Sequence, residues 1–201
     1  MKKINLVLMS MLAIVLSSVL AACSFKKAEA TFSQSEIVVS LEDTIKLDEY
    51  LSVKNIEKNE VSFKYSNSSL FEANGRSIVA KQAGKSFVYA TYQNNNLASM
   101  KIVVREKFSA PIKFELATDG TLSWNAVSAY YENETAPTKA QSYRVVGTCT
   151  VYSPNDPATV LETEDIDETV STNSIKLSKA GKYEIGVQSL AYGYFDKSEL
   201  S

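Results

Sequence analysis

The feature that most constrains this chain is the period of its apolar residues, which is two rather than 3.6 over nearly its whole length. Residues 61–65 (VSFKY), 86–90 (SFVYA) and 100–104 (MKIVV) alternate side-chain character in short runs rich in Val, Ile, Thr, Tyr and Phe, and Gly, Asn and Ser punctuate them. Short strands recurring about every 8–12 residues predict a sandwich or a barrel. No stretch carries a helical stripe, although residues 48–57 could form one loose turn. The fold class expected is all-β.

The start of the chain does not follow that pattern. Lys2 and Lys3 precede a mostly apolar run over residues 4–20, which ends in small residues. This is the layout of a secretory signal, and the run is shorter than the roughly 20 residues a spanning helix needs. Leu20-Ala21-Ala22-Cys23 resembles the bacterial lipobox. That resemblance implies removal of a signal peptide, residues 1–22, and a covalent diacylglycerol on Cys23, with palmitate-type acyl chains anchoring the protein at the extracytoplasmic face of the cell membrane. Each buried methylene contributes about 0.8 kcal/mol, so two or three chains hold firmly. An uncleaved transmembrane anchor is the alternative. Residues 23–30 then form a lipidated tether, and the seven residues after Cys23 reach about 25 Å at most.

Without the leader the chain has 19 basic and 23 acidic side chains. A mildly acidic surface without a basic run argues against nucleic acid as a partner. Cys149 is the one thiol left once Cys23 is lipidated, so no intrachain disulfide is expected. Tyr143, Val145, Cys149 and Val151 share one side of a strand, which makes Cys149 a buried small hydrophobe rather than a reactive group. There is no histidine, the commonest general base and metal ligand.

The charge balance shifts along the chain. Residues 31–105 carry nine basic and eight acidic side chains, whereas residues 108–201 carry seven and thirteen. With Ala110-Pro111 following the apolar run 102–104, a boundary is expected near residues 105–109. Each unit is large enough for one small core.

The first unit, through EDTIKL, VSFKYSNSSLFEANGRSIVAKQAGKSFVYATY and SMKIVVRE, resembles the bacterial immunoglobulin-like domain of group 2. Gly75 and Gly84 fall in its turns, where positive φ is expected. Phe63 stands where that family often has tryptophan. The second unit, 108–201, resembles a fibronectin type III domain through GTLSWNAV, SYRVVGTCTVY and IKLSKAGKYEIGVQSLA. The resemblance implies that Tyr143 and Val145 pack on Trp124. It also implies a tyrosine corner, in which the Tyr183 phenol bonds back to the preceding turn. The last strand, roughly 195–200, is short for that family. Together these imply two tandem Ig-like β-sandwiches.

Catalysis finds no residue set. There is no Gly-x-Ser-x-Gly, no phosphate-cradling loop and no base to activate a serine. Glu162, Glu164, Asp165, Asp167 and Glu168 crowd a Pro-, Thr- and Ser-rich stretch that reads as a solvated loop, with weak calcium binding as the alternative. No cofactor is expected beyond the lipid, and no enzyme activity. Binding is the better prospect. The fibronectin resemblance would bring the loops after Trp124 and Ser189 to one pole, with Tyr130, Tyr131, Tyr192 and Tyr194 as candidate ligand contacts for a glycan or a surface protein. Core packing of Tyr194 or Phe195 and simple capping by Tyr130 are the alternatives. If Ser86, Val88 and Ala90 point inward, Phe87 and Tyr89 face out, as a second binding surface or an interdomain contact. The function expected is that of a lipid-anchored adhesion or ligand-binding protein; the alternative is a structural spacer or accessory lipoprotein of an envelope complex.

Overall fold

A computed structural model describes residues 26–201. The first set of strands comprises β1 (Glu29–Phe32), β2 (Glu36–Val39), β3 (Thr44–Lys46), β4 (Leu51–Lys54), β5 (Ser62–Tyr65), β6 (Phe71–Asn74), β7 (Ser77–Ala80), β8 (Gly84–Tyr92) and β9 (Asn95–Val104). One helical turn, α1 (Leu47–Tyr50), lies between β3 and β4. β10 (Glu106–Lys107) follows. The second set comprises β11 (Glu115–Leu116), β12 (Thr121–Ser123), β13 (Ser128–Ala129), β14 (Thr138–Lys139), β15 (Tyr143–Ser153), β16 (Asp156–Val170), β17 (Ser174–Lys176), β18 (Lys182–Ser189) and β19 (Phe195–Asp196). The chain is all-β and its sheets pack as sandwiches.

In the first set, a four-stranded sheet of order β2-β9-β8-β5 faces a three-stranded sheet of order β3-β7-β6. Along β8 the alternation is clean: Ser86, Val88 and Ala90 are buried while Phe87 is exposed. Ile37, Ile45, Leu47, Ile78, Met100 and Ile102 close the core between the sheets. Burying each such side chain contributes about 1.5–3 kcal/mol. Gly75 turns β6 into β7 at φ +62°, a left-handed conformation that disfavours any side chain.

In the second set, β11-β12-β17 faces β16-β15-β18. Trp124, 2% exposed, sits at its centre with Tyr143 edge-on at 5.4 Å. The Tyr143 hydroxyl accepts from the Val127 backbone N–H at 2.9 Å, so the ring is both buried and satisfied. The Tyr183 hydroxyl donates to the Lys179 carbonyl at 2.8 Å and accepts from the Lys179 N–H at 3.1 Å. That local clamp is the back-bonded corner that the fibronectin type III resemblance implies for Tyr183.

One expectation is corrected. The acid-rich stretch is not a loop: residues 162–168 lie within the fifteen-residue strand β16 and pair with β15 in antiparallel register. Acidic residues are poor strand formers by propensity, but a ladder against β15 overrides that local preference. The last strand also differs from its expected span. β19 covers only Phe195–Asp196, and residues 198 and 201 instead donate their N–H groups to the Ser189 and Val187 carbonyls at 3.0 and 3.1 Å, lining the border of β18.

Candidate functional site

The segment that links the two sets is tied down on both sides. β10 pairs in parallel with β19, so Glu106 lies beside Phe195 and Lys107 beside Asp196. Phe108 stacks on Phe195 at 4.7 Å, both nearly sealed from solvent. Val103 of β9 and Val38 of β2 belong to the same apolar cluster as Trp124, Tyr131 and Val187, so the second core continues onto the outer face of the first sandwich.

The loop after β13 and the segment before β19 form the polar part of this joint. Tyr131 is 1% exposed and its hydroxyl donates to the Val104 carbonyl at 2.5 Å. Burial, first of all, raises the pKa of that phenol. Tyr194 packs its ring 5.3 Å from that of Tyr131, and its hydroxyl donates to Glu36 Oε1 at 3.3 Å. Lys85 sits over both rings, 4.8 Å from Tyr131 and 5.2 Å from Tyr194. Its ammonium is 3.0 Å from Glu134 and 3.7 Å from Glu132, and its backbone N–H donates to Glu132 Oε1 at 2.9 Å. Lys101 bonds Glu36 at 2.7 Å, and that hydrogen bond is the main cause holding the Glu36 carboxyl below the usual carboxylate range. Asp196 accepts from Ser40 Oγ at 2.9 Å and from Arg105 at 3.4 Å. Bases of the first set thus meet acids of the second, while Glu36 and Ser40 reach Tyr194 and Asp196.

Gly84 shows how close this approach is. It has φ +146°, and a Cβ built there would stand 3.0 Å from Leu70 Cδ2 and 3.1 Å from Glu132 Oε1. Only glycine suits both the backbone and the contact.

The four candidate tyrosines therefore divide. Tyr131 has its ring enclosed and its hydroxyl engaged, which leaves no face for a ligand to cover, and Tyr194 is half-buried against Glu36, Lys85 and Lys101. Tyr130 and Tyr192 are 59% and 50% exposed. The physical reason is that their pole is the one that faces the first set of strands. Cys23 lies outside the described residues. Cys149 is 2% exposed.

An aromatic face borders the joint. Phe87 is 46% exposed and its ring stacks on that of Tyr89 at 6.3 Å and 28°. Across the ladder, Lys101 stands opposite Phe87, and Ser99 and Lys64 flank Tyr89. Because the Lys101 ammonium is 5.7 Å from the Tyr194 ring, platform and joint are contiguous. Such a surface, flat and apolar with a charged border, can stack on a planar or pyranose ligand face. The alternation along β8 pointed to Phe87 and Tyr89; nothing local pointed to Glu36, Lys85, Glu132, Glu134 or Asp196, beyond the opposite net charges of the two halves. Among the described residues, no three acidic or cysteine side chains converge in a way that could hold a metal ion.

No family model matches this chain, and none of the curated proteins does. Among solved structures, the Yersinia pseudotuberculosis adhesin InvE is similar over 87% of this chain, at 13% identity and a TM-score of 0.26. The chain spans 57% of the length of that adhesin chain.

Proposed function

We propose that this chain is a lipid-anchored, non-catalytic binding protein of the bacterial cell surface. In this reading the signal peptide is removed, Cys23 carries the diacylglycerol, and the protein stays at the extracytoplasmic face of the membrane. A group 2 bacterial Ig-like domain (31–105) and a fibronectin type III-like domain (108–201) then form a stiff pair, because the joint between them buries Tyr131, Phe108 and Phe195.

The observation that carries the binding reading is the outward stacked pair Phe87–Tyr89, accompanied by the exposed rings of Tyr130 and Tyr192. Exposed aromatics offer rigid apolar area at low entropic cost, which suits a glycan or a protein partner in adhesion. A second reading, a structural spacer or accessory lipoprotein, is favoured by a different fact. Two of the four tyrosines at the expected ligand pole are engaged in joining the strand sets.

The two readings separate in a glycan and surface-protein binding screen on residues 26–201, which contain every described strand. A binding module retains affinity there, and Phe87→Ala with Tyr89→Ala, or Tyr130→Ala with Tyr192→Ala, abolishes it. A spacer binds nothing in isolation. Affinity unchanged in both double variants rejects the aromatic sites.

A further inference from the structure

The sheet β16-β15-β18 has two borders. Tail residues Ser198 and Ser201 line the β18 border through backbone hydrogen bonds. The β16 border has no strand beside it among the described residues. In an antiparallel strand every second residue turns its N–H and C=O away from its partner, so this border presents a row of unpaired backbone groups. The stretch 163–170 is the regular part, pairing without interruption with residues 143–150 of β15.

The side chains of that stretch follow a rule. Glu164, Ile166 and Glu168 stand opposite Cys149, Gly147 and Val145, so they point to the inner face of the sheet. There they border a groove of about 300 Å³ between the two sheets, with Cys149, Ile175 and Leu177 on its other walls. Asp165 and Asp167 point to the outer face. Some of these acids already hold a base. Lys179 lies 2.8 Å from Glu162 and 2.7 Å from Glu164, and Arg144 grips Asp167 through two hydrogen bonds of 2.8 and 2.7 Å. Asp165 and Glu168 have no ion-pair partner among the described residues.

We propose that β16, along residues 163–170, is a docking edge for an extended basic segment of another protein, which adds to the sheet as a further strand. Main-chain bonds to the uncovered edge supply affinity, and side chains at alternate positions supply selection. The inner face reads acid, apolar, acid at i, i+2 and i+4, so the complementary strand reads Lys-x-Val-x-Lys. Its valine lies against Ile166, and its bases lie against Glu164 and Glu168, with a further cation accepted by Asp165. Opposite charges directly across a strand pair attract and like charges repel. In-register pairing with a second copy is thereby disfavoured. Antiparallel self-pairing about Ile166 sets Glu164 against Glu168 twice, and parallel self-pairing sets each acid beside itself. The charges that guard this edge against its own kind are the ones that admit a basic strand.

The test uses the full-length protein and two synthetic peptides, acetyl-Thr-Lys-Thr-Val-Thr-Lys-Thr-amide and its counterpart with Glu in place of both lysines, followed by fluorescence anisotropy and backbone amide exchange. The expected result is binding of the lysine peptide, weakening with salt, together with slowed exchange within residues 163–170. Glu164→Lys with Glu168→Lys reverses two cross-strand pairs; it costs the lysine peptide roughly tenfold in affinity and transfers preference to the glutamate peptide. A lysine peptide N-methylated on alternate backbone nitrogens, with the protein untouched, loses binding. The proposal is overturned by no binding, by equal binding of both peptides, or by binding that survives N-methylation or leaves exchange in 163–170 unchanged.

Discussion

Tyr131 and Val104 are joined by a hydrogen bond of 2.5 Å that crosses from one set of strands to the other, phenol to backbone carbonyl, out of reach of water. The contact fastens a loop to the final residue of β9, where the chain leaves the first sandwich. It turns a boundary that reads as a linker into a sealed joint.

Removing that hydroxyl leaves a buried carbonyl without its partner. Tyr131→Phe is expected to cost about 1–3 kcal/mol, the penalty of an unsatisfied buried acceptor. Tyr131→Ala also removes the ring between Tyr194 and Phe195 and costs about 3–5 kcal/mol. Urea denaturation measures both, and equal midpoints for the two variants would contradict the ring's role.

Gly84→Ala is expected to destabilise by about 1–3 kcal/mol, since it combines a disfavoured φ with a Cβ forced against Leu70 and Glu132. Adding Glu132→Ala relieves the second contact only. Because Glu132 also accepts the Lys85 backbone N–H, the relief shows as coupling: Gly84→Ala should cost less in a Glu132→Ala background than in the parent, in the same assay.

Glu36 links Lys101 and Tyr194, and its folded pKa lies below the ordinary carboxylate value. A depressed pKa means that the unfolded chain binds the proton more readily, so the contribution is complete above about pH 5 and disappears as pH falls through the folded value. Asp48, held down chiefly by its hydrogen bonds from Arg76, acts with the same sign inside the first sandwich. Glu36→Gln should flatten the loss of stability between about pH 5 and pH 3. The check is the difference between urea midpoints at the two pH values, compared with that of the parent.

Cys149 is buried beside Tyr183, so a bulky thiol reagent should label the native protein slowly and the denatured protein at once. The stoichiometry in denaturant carries a second answer. One titratable thiol agrees with acylation at Cys23, and two would refute the lipid anchor.

Tyr130→Ala and Tyr192→Ala should each change stability by less than about 0.5 kcal/mol, because both rings face solvent. A larger loss in thermal denaturation would mean that these rings brace the joint and are not displayed.

What could be read without coordinates was local or periodic. Alternation placed Val88 inside and Phe87 outside, and turn chemistry marked Gly75 and Gly84. The resemblance to a fibronectin type III domain implied the ring pair of Trp124 and Tyr143 and the back-bonded Tyr183, and both contacts are present. Alternation and turns are legible because strand period and turn conformation depend on a few neighbouring residues. The acid-rich strand reads as a loop for the complementary reason. Its conformation is imposed by the ladder with β15, which outweighs the weak strand preference of aspartate and glutamate.

By itself the amino-acid order determined that the chain makes strands and which side chains face a core. Only tertiary structure decided which tyrosines of the pole are engaged in contacts between the two sets of strands, since Glu36 meets Tyr194 across 158 positions of chain and Tyr131 meets Val104 across 27. Contacts at such separations depend on how two finished sandwiches dock. Docking is governed by the summed shape and charge of their surfaces, which no local pattern of residues encodes.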